Sequence, residues 1–322
     1  MTRSARAVAC SNIALAKYWG KLPNTDNRTA VPSLSLTLAE LRTTTVVSFD
    51  DSLRADEGTL DGKALAGRPL LRVSKMLDQV RALAESPLFA RVESHNDFPT
   101  AAGLASSASG FAALALAASR ASGLTLPLGE LSSLARAASA SAARSLFGGY
   151  VTLAAGAASA EPLLAGAAFP LEMLVAVTAQ GAKATASTDG MTHTASTSPY
   201  YAAWLERAPA LYEEVRSALL QRDFDALGPA VEQSALMMHA SMLAARPALI
   251  YFAPATLRVI ERVRELRAHG ARAYFTIDAG PHVKVLVEPD SAEQIAAELA
   301  RTDGVARVLR ATPGPDAQLV ES

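Results

Sequence analysis

One cysteine, Cys10, is all that 322 residues contain. That excludes an internal disulfide framework and fits a reducing cytosol. A charge surplus is also missing: 30 Lys and Arg stand against 31 Asp and Glu, a net charge of −1. A nucleic-acid binder should show a basic excess or patch, so that class has no electrostatic support. The longest apolar runs, such as 111–118, are too short to span a bilayer and read as buried helix. Residues 1–9 carry two arginines with no signal-length apolar stretch behind them, so a soluble cytoplasmic protein is expected. Two nucleotide signatures are absent as well. No GxxxxGK[ST] supplies a Walker lysine, and no GxGxxG supports a dinucleotide fold. His193, His239 and His282 are scattered without metal-ligand spacing, which predicts separate surface or core roles.

What is present is a large apolar fraction. Half the residues are hydrophobic and 19% are charged, so a sizeable core is expected and disorder is not. The length admits two ordinary domains. The first third reads mostly as strand: 33–38 alternates polar and apolar residues, and 42–49 is rich in β-branched ones. A short hairpin is expected between 50 and 67. Helical spacing appears over 74–85, 111–122 and 130–147, the last ending at Gly148-Gly149 before a strand at 150–153. Beyond a pattern-poor stretch, 154–170, strands are predicted at 174–178, 273–277, 283–287 and 305–309. Helices are predicted at about 199–220, 223–242, 255–268 and 292–301, with Asp290 and Ser291 as N-cap candidates for the last. The class is α+β, with a boundary near 155–185.

Four stretches could carry chemistry. In 103–110, GLASSASG, Gly103 permits unusual backbone geometry, Ser106, Ser107 and Ser109 offer hydroxyls, and a helix N-terminus nearby favours an anion. Alone, such a stretch is more often a cap and packing turn. SNIALAKYWGK, 11–21, crowds two lysines, an asparagine and a tyrosine, and suits oxyanions or else is a solvated loop with lysine snorkelling over Trp19. In 139–149, Ser141 and Arg144 lie three apart on one helix face, and the Arg fork matches carboxylate or phosphate. A last-turn arginine complementing the helix dipole is the plainer reading. Asp278 ends a predicted strand before a Gly-Pro turn; in isolation it reads as an ordinary turn aspartate.

Taken together and in this order, these stretches resemble the mevalonate diphosphate decarboxylases of the GHMP kinase superfamily. The matching pieces are SNIALAKYWGK (11–21), PSLSLTL (32–38), NDFPTAAGLASSASG (96–110), SASAARSLFGGYV (139–151), STDGMTHTASTSPYY (187–201) and FTIDAGPHVKVL (275–286). They span nearly the whole chain. The resemblance implies a two-lobed GHMP kinase fold, with a ribosomal-protein-S5-domain-2-like N-terminal lobe (1–170) and a GHMP C-terminal lobe (171–322). It implies consumption of ATP with Mg²⁺: (R)-5-diphosphomevalonate is phosphorylated on its 3-hydroxyl, then loses phosphate and CO2 to give isopentenyl diphosphate. A homodimer is implied too.

Site roles follow from the same resemblance. Asp278 would face the 3-hydroxyl, with Lys17 beside it keeping it ionised and neutralising phosphoryl oxygens. Arg144, with Ser139 nearby, would hold the C1 carboxylate. Tyr18, Lys21, Ser141 and Ser187 fall around the substrate diphosphate, and Asn12 supports the transferring phosphate. Gly103, Leu104, Ala105, Ser106, Ser107 and Ser109 would wrap the ATP phosphates, with Ser106 and Ser107 at phosphate and metal, and Asn96 near the nucleotide. Two departures stand out: His282 where an asparagine follows DAGP in the family, and Thr188 where some bacterial members carry an arginine. A phosphomevalonate decarboxylase making isopentenyl phosphate would keep the catalytic set with fewer cations at the distal phosphate; Lys21 favours the diphosphate. A pure 3-kinase relative is disfavoured because Lys17, Asp278 and Arg144 are all present. A catalytically silent ligand-binding sensor predicts loss of the acid or the phosphate serines, and both are retained.

Overall fold

A computed structural model of the chain describes residues 3–98, 106–178 and 185–321. The N-terminal part runs β1 (Arg3–Ala16), β2 (Ser33–Asp50), β3 (Glu57–Leu60), β4 (Lys63–Ala64), α1 (Arg68–Ala84) and β5 (Phe89–Asn96). It continues through α2 (Ser106–Ala121), α3 (Leu128–Ala138), a 3-10 helix (Ala140–Leu146), β6 (Tyr150–Leu153) and β7 (Glu161–Leu164). The remainder runs β8 (Glu172–Val177), α4 (Ser187–Thr197), α5 (Tyr201–Gln221), α6 (Phe224–Leu243) and α7 (Pro254–Ala268), then β9 (Ala273–Ile277) and β10 (Val283–Val287). α8 (Pro289–Ala300), β11 (Arg307–Ala311) and β12 (Gln318–Val320) complete it.

Two sheets result. The larger has the order β12-β1-β2-β5-β3-β4, with β6 on the first half of β2 and β7 beyond it. The smaller is β11-β8-β10-β9, antiparallel throughout. The chain therefore enters the second sheet at β8 and returns to the first at β12, which pairs with β1. No helix among the described residues is long and apolar enough to cross a membrane.

One irregularity positions the site. β1 and β2 pair over their length, but the register shifts between Cys10 and Ser11. Before the shift, Ala5, Ala7 and Ala9 pack into the core beneath α1 to α3. After it, Ile13 and Leu15 pack the other way, into the core shared with β8, α5 and α6. A bulge reverses which parity of side chain faces each layer, so the even residue Asn12 is turned toward the 3-10 helix, where it meets Ser145. The polar residues of 33–38 are not a solvent face. Ser33, Ser35 and Thr37 are fully buried, and β2 is one strand through to Asp50.

The single helix predicted over 130–147 is in fact two. α3 stops at Ala138, Ser139 is extended (φ −155°, ψ 117°), and a 3-10 helix follows. Serine hydroxyls compete locally with backbone hydrogen bonding, and here they cluster at the break, Ser139 Oγ lying 3.4 Å from Ser141 Oγ. Ser141 and Arg144 thus share a tight 3-10 turn, not an α-helical face. Asp290 and Ser291 do not cap the last helix from outside. Pro289 takes the first position, where its fixed φ is preorganised, with Glu288 as cap.

Gly149 ends this segment at φ +67°, and a Cβ there would stand 2.6 Å from the Leu164 carbonyl oxygen and 2.7 Å from the Gly166 nitrogen. Both obstacles are backbone and cannot swing away. Gly149→Ala should cost about 2 kcal/mol or more in urea unfolding; a change within experimental error would mean the turn relaxes freely.

Candidate active site

A cavity of about 620 Å³ opens where the two sheets meet. Lys17, Lys21, Arg68, Arg72 and Arg144 contribute to its wall, and so does Asp278. Five cations against one carboxylate on one wall is unusual in a chain of near-zero net charge.

Lys17 follows the last residue of β1. Its backbone N–H donates to Ser234 Oγ on α6 (2.9 Å), and its ammonium donates to the Ala14 carbonyl (2.8 Å) and to Asp278 Oδ1 (2.6 Å). Burial pushes that ammonium down to about 8, against the pull of Asp278 upward, with Lys284 and Arg144 adding to the depression. Asp278 follows β9 and remains 28% exposed to the cavity. Burial would raise its carboxyl, but Lys17 and Lys284 outweigh that and hold it well below the usual carboxylate range. The solvated-loop reading of KYWGK does not survive. Lys17 and Trp19 are each 2% exposed, and Trp19 is pinned by Thr194 (3.0 Å) and by Trp204, whose indole donates to the Trp19 carbonyl (2.8 Å).

Arg144 is the second focus. It is buried, yet among the described residues it forms no ion pair. Its guanidinium donates only to neutral acceptors: Ser35 Oγ at 2.8 Å, Ser33 Oγ at 2.6 Å and Asn12 Oδ1 at 3.3 Å, with the Tyr18 ring 5.7 Å away. Burial lowers its affinity for a proton, though arginine stays charged. A buried cation held by neutral groups and facing a cavity is completed by an anionic ligand. Asn12 is itself oriented by donating to Ser145 Oγ (2.7 Å) and the Ser141 carbonyl (3.1 Å). Tyr18 is hydrogen-bonded to Ser141, so Asn12, Tyr18, Ser139, Ser141 and Arg144 form one group.

Lys21 sits farther along the wall, donating to Asn27 Oδ1 (2.6 Å) and Thr188 Oγ1 (3.0 Å). Burial and the neighbouring Arg72 and Arg68 push its ammonium down to about 8. Ser187 and Thr188 open α4 beside it, and Asp189 takes a bidentate bond from Arg68 (2.8 and 2.9 Å). Arg72 donates to the Ala138 carbonyl and lies over the Phe111 ring.

On the side of α2, Ser106, Ser107 and Asn96 reach the cavity, whereas Ser109 does not. Ser109 is fully buried, 2.7 Å from Thr43 Oγ1, which donates to Asn96 Oδ1 at 2.6 Å; it braces α2 on the sheet. Gly103, Leu104 and Ala105 lie outside the described residues. The described residues contain no group of three or more His, Cys, Asp or Glu fit to hold a metal. The hydroxyls of Ser106 and Ser107 on the cavity wall fit Mg²⁺ carried by a nucleotide, an ion that takes few protein ligands and keeps phosphate oxygens and water. His282 is buried and accepts from the Thr178 N–H (3.1 Å); burial pushes it down to about 4, so it is neutral. His239, buried on α6, is likewise pushed down to about 4. Neither departs from a core role.

Sequence reasoning missed Arg68 and Arg72, which carry no signal beyond basic residues on one helix. It also missed Lys284, whose signal is a lysine inside the apolar run VKVLV, and Ser33 and Ser35, which alternate along a strand and belong to the family-like stretch PSLSLTL but carry no assigned role there. Replacing both serines by alanine leaves a buried guanidinium short of acceptors. Ser33→Ala/Ser35→Ala should lower unfolding free energy by about 3 kcal/mol; an unchanged denaturation midpoint would mean Arg144 finds other partners.

Two family models cover most of the chain: diphosphomevalonate decarboxylase-like N-terminal domain over residues 9–163, and mevalonate 5-diphosphate decarboxylase C-terminal domain over 173–310. The chain is similar to a diphosphomevalonate decarboxylase of Candida albicans (32% identity, 98% of this chain, 97% of the relative). It is also similar to a phosphomevalonate decarboxylase of Haloferax volcanii (31% identity, 96% and 95%). A solved structure described as MDDEF in complex with MVAPP, AMPPCP and magnesium superposes with a TM-score of 0.93 at 39% identity, covering the whole of both chains. The two-sheet α+β architecture is thus the two-lobed GHMP kinase fold, and the chain belongs to the diphosphomevalonate decarboxylase family.

Proposed function

We propose that the chain converts (R)-5-diphosphomevalonate to isopentenyl diphosphate, consuming ATP and releasing ADP, phosphate and CO2. The observation that carries this is a lysine-clamped carboxylate facing the same cavity as a buried arginine that has no acidic partner among the described residues.

The chemistry follows from these groups. A tertiary hydroxyl is a poor leaving group, and phosphorylation makes it a good one. Asp278, held ionised, accepts a hydrogen bond from the 3-hydroxyl and aims its oxygen at the γ-phosphorus. Such a weak base takes the proton late, which suits a loose phosphoryl-transfer transition state. Lys17 neutralises phosphoryl oxygens while keeping Asp278 charged. Arg144 grips the C1 carboxylate, its fork oriented by Ser33, Ser35 and Asn12. The C3–O bond then breaks, phosphate leaves, and positive charge grows at C3. The C1–C2 electron pair moves in to form the C2–C3 double bond as CO2 departs. Ser106 and Ser107 would hold Mg²⁺ with the ATP phosphates, where the ion supplies charge neutralisation. Tyr18, Ser139, Ser141 and Ser187 line the substrate side. Lys21, beside Arg72 and the Asp189-paired Arg68 on the cavity wall, favours a diphosphate as a cation placed for the distal phosphate. These cations also supply charge near Thr188, where arginine is missing.

Residues 1–170 form the nucleotide-binding lobe in this reading, and 171–322 bring Asp278. A cytoplasmic homodimer accords with the family resemblance and with a single, buried, free cysteine.

Measuring ATP-dependent CO2 release from mono- and diphosphomevalonate tests the assignment. Release from the diphosphate is expected. Preference for the monophosphate would shift the substrate, and no release from either, with intact ATP binding, would indicate a sensor. Asp278→Asn should cut turnover by about 10³-fold or more while nucleotide affinity is largely kept; near-normal turnover would remove Asp278 from the mechanism. The pH dependence has a definite sign. Lys17 and Lys21 must be charged and titrate near 8, so kcat/KM should fall as pH rises through 8. Asp278 remains ionised down to pH 4 and imposes no limb between pH 5 and 8. A profile flat to pH 10 would mean charged Lys17 is not required.

A further inference from the structure

β10 is buried along its whole length, and its second residue is a lysine among four apolar ones. A buried ammonium is costly to desolvate, and nothing in strand packing asks for one. Its register accounts for where it reaches. Lys284 pairs with Thr276 on β9, and Asp278 lies two residues beyond Thr276, so the two side chains are diagonal neighbours on one face. The ammonium of Lys284 stands 3.1 Å from Asp278 Oδ2, while that of Lys17 stands 2.6 Å from Oδ1. Each carboxylate oxygen is therefore addressed by its own lysine, one from each sheet. Lys284 is completely buried.

We propose that Lys284 is a second positioning residue for the reaction: by holding Oδ2 it fixes the plane of the Asp278 carboxylate, and its charge sets the field in which Lys17 works. The inference rests on the function proposed above. One lysine would leave the carboxylate able to pivot about its single contact; two contacts on opposite oxygens fix its direction. Two ammonium groups on one carboxylate also leave a local charge of +1. The groups facing Asp278 are Lys17 from the end of β1, Lys284 from β10, Arg144 from the 3-10 helix, Tyr18, and the neutral His239 from α6. Lys284 and Arg144 both disfavour the proton on Lys17. Removing Lys284 therefore raises the pH at which Lys17 loses it. Loosening that let water reach Lys17 would move it the same way, because burial is the main cause of its depression, so thermal unfolding must separate the two.

The test uses the full chain. In Lys284→Met, kcat should fall about 10- to 100-fold with KM for both substrates little changed. Measured in a Lys21→Met background, with and without the Lys284 substitution, so that Lys17 alone sets it, the alkaline limb of kcat/KM should move up by about 1 unit. Lys284→Gln keeps a donor to Oδ2 without the charge, so it should recover part of kcat while still moving the limb upward. It also serves should the methionine variant fail to fold. A readout independent of activity is thermal unfolding. Asp278→Asn leaves two buried ammonium groups facing a neutral amide and should lower Tm, and adding Lys284→Met should restore part of that loss. Turnover within twofold of wild type with an unmoved limb would overturn the proposal. So would a Tm loss from Lys284→Met that is the same size with and without Asp278. Wild-type CO2 release is measured first, so failure of the assigned reaction shows there, and the Tm comparison still decides whether Lys284 acts through Asp278.

Discussion

The buried ion pair between Lys17 and Asp278 is the contact on which the rest of the site depends. Lys17 follows the longest strand pair of the first sheet, and Asp278 follows β9 of the second. Taking both charges out of water is expensive, and their attraction offsets that only where geometry is good and the remaining hydrogen bonds are satisfied. The structure meets that condition with the Ala14 carbonyl on the ammonium and with Ser234 holding the Lys17 backbone. α6, which carries Ser234, packs against both β1 and β9, so one helix braces both halves of the pair.

Around that pair the cavity is overcharged with cations. Lys17, Lys21, Arg68, Arg72 and Arg144 line it, and Asp189 at its mouth is already engaged by Arg68. Burial pushes Lys17 and Lys21 toward neutrality, which is the energetic signature of a site assembled ahead of its counterions. A triphosphate and a substrate bearing a carboxylate and phosphates supply those counterions. The polar stripe of Ser33 and Ser35, buried where a strand would ordinarily place apolar residues, belongs to the same design, because it lets a guanidinium remain charged indoors.

Much of this was legible beforehand. Strand ends at 277 and 287 were readable from bounded apolar runs, whereas Asp278 between them read in isolation as a turn aspartate and took a role only through the family resemblance. Lys17, Tyr18, Arg144 and Asn12 were readable as a set through the family resemblance. Other features were not. The break at Ser139 was not: serines weaken a helix without fixing where it stops, and 140–146 is held by packing on α2, α3 and β1. Ser109 looked like a phosphate ligand and is instead tied to Thr43 across the helix–sheet interface. β12 is three exposed residues with no periodicity to find, and it exists because the edge of β1 accepts it.

The sequence by itself determined the chemical inventory: which acids, cations and hydroxyls exist, in what order, and the element type around most of them. Only the tertiary structure decided which of them meet. The register shift in β1 turns Asn12 to the cavity, and the pairing of Lys284 with Thr276 brings its ammonium to Asp278. Folding also withdraws Lys17 from water, which turns an ordinary surface charge into one that titrates near 8. Those outcomes depend on strand register, on a contact between residues 261 positions apart, Lys17 and Asp278, and on the loss of solvent around them, and local sequence contains none of these.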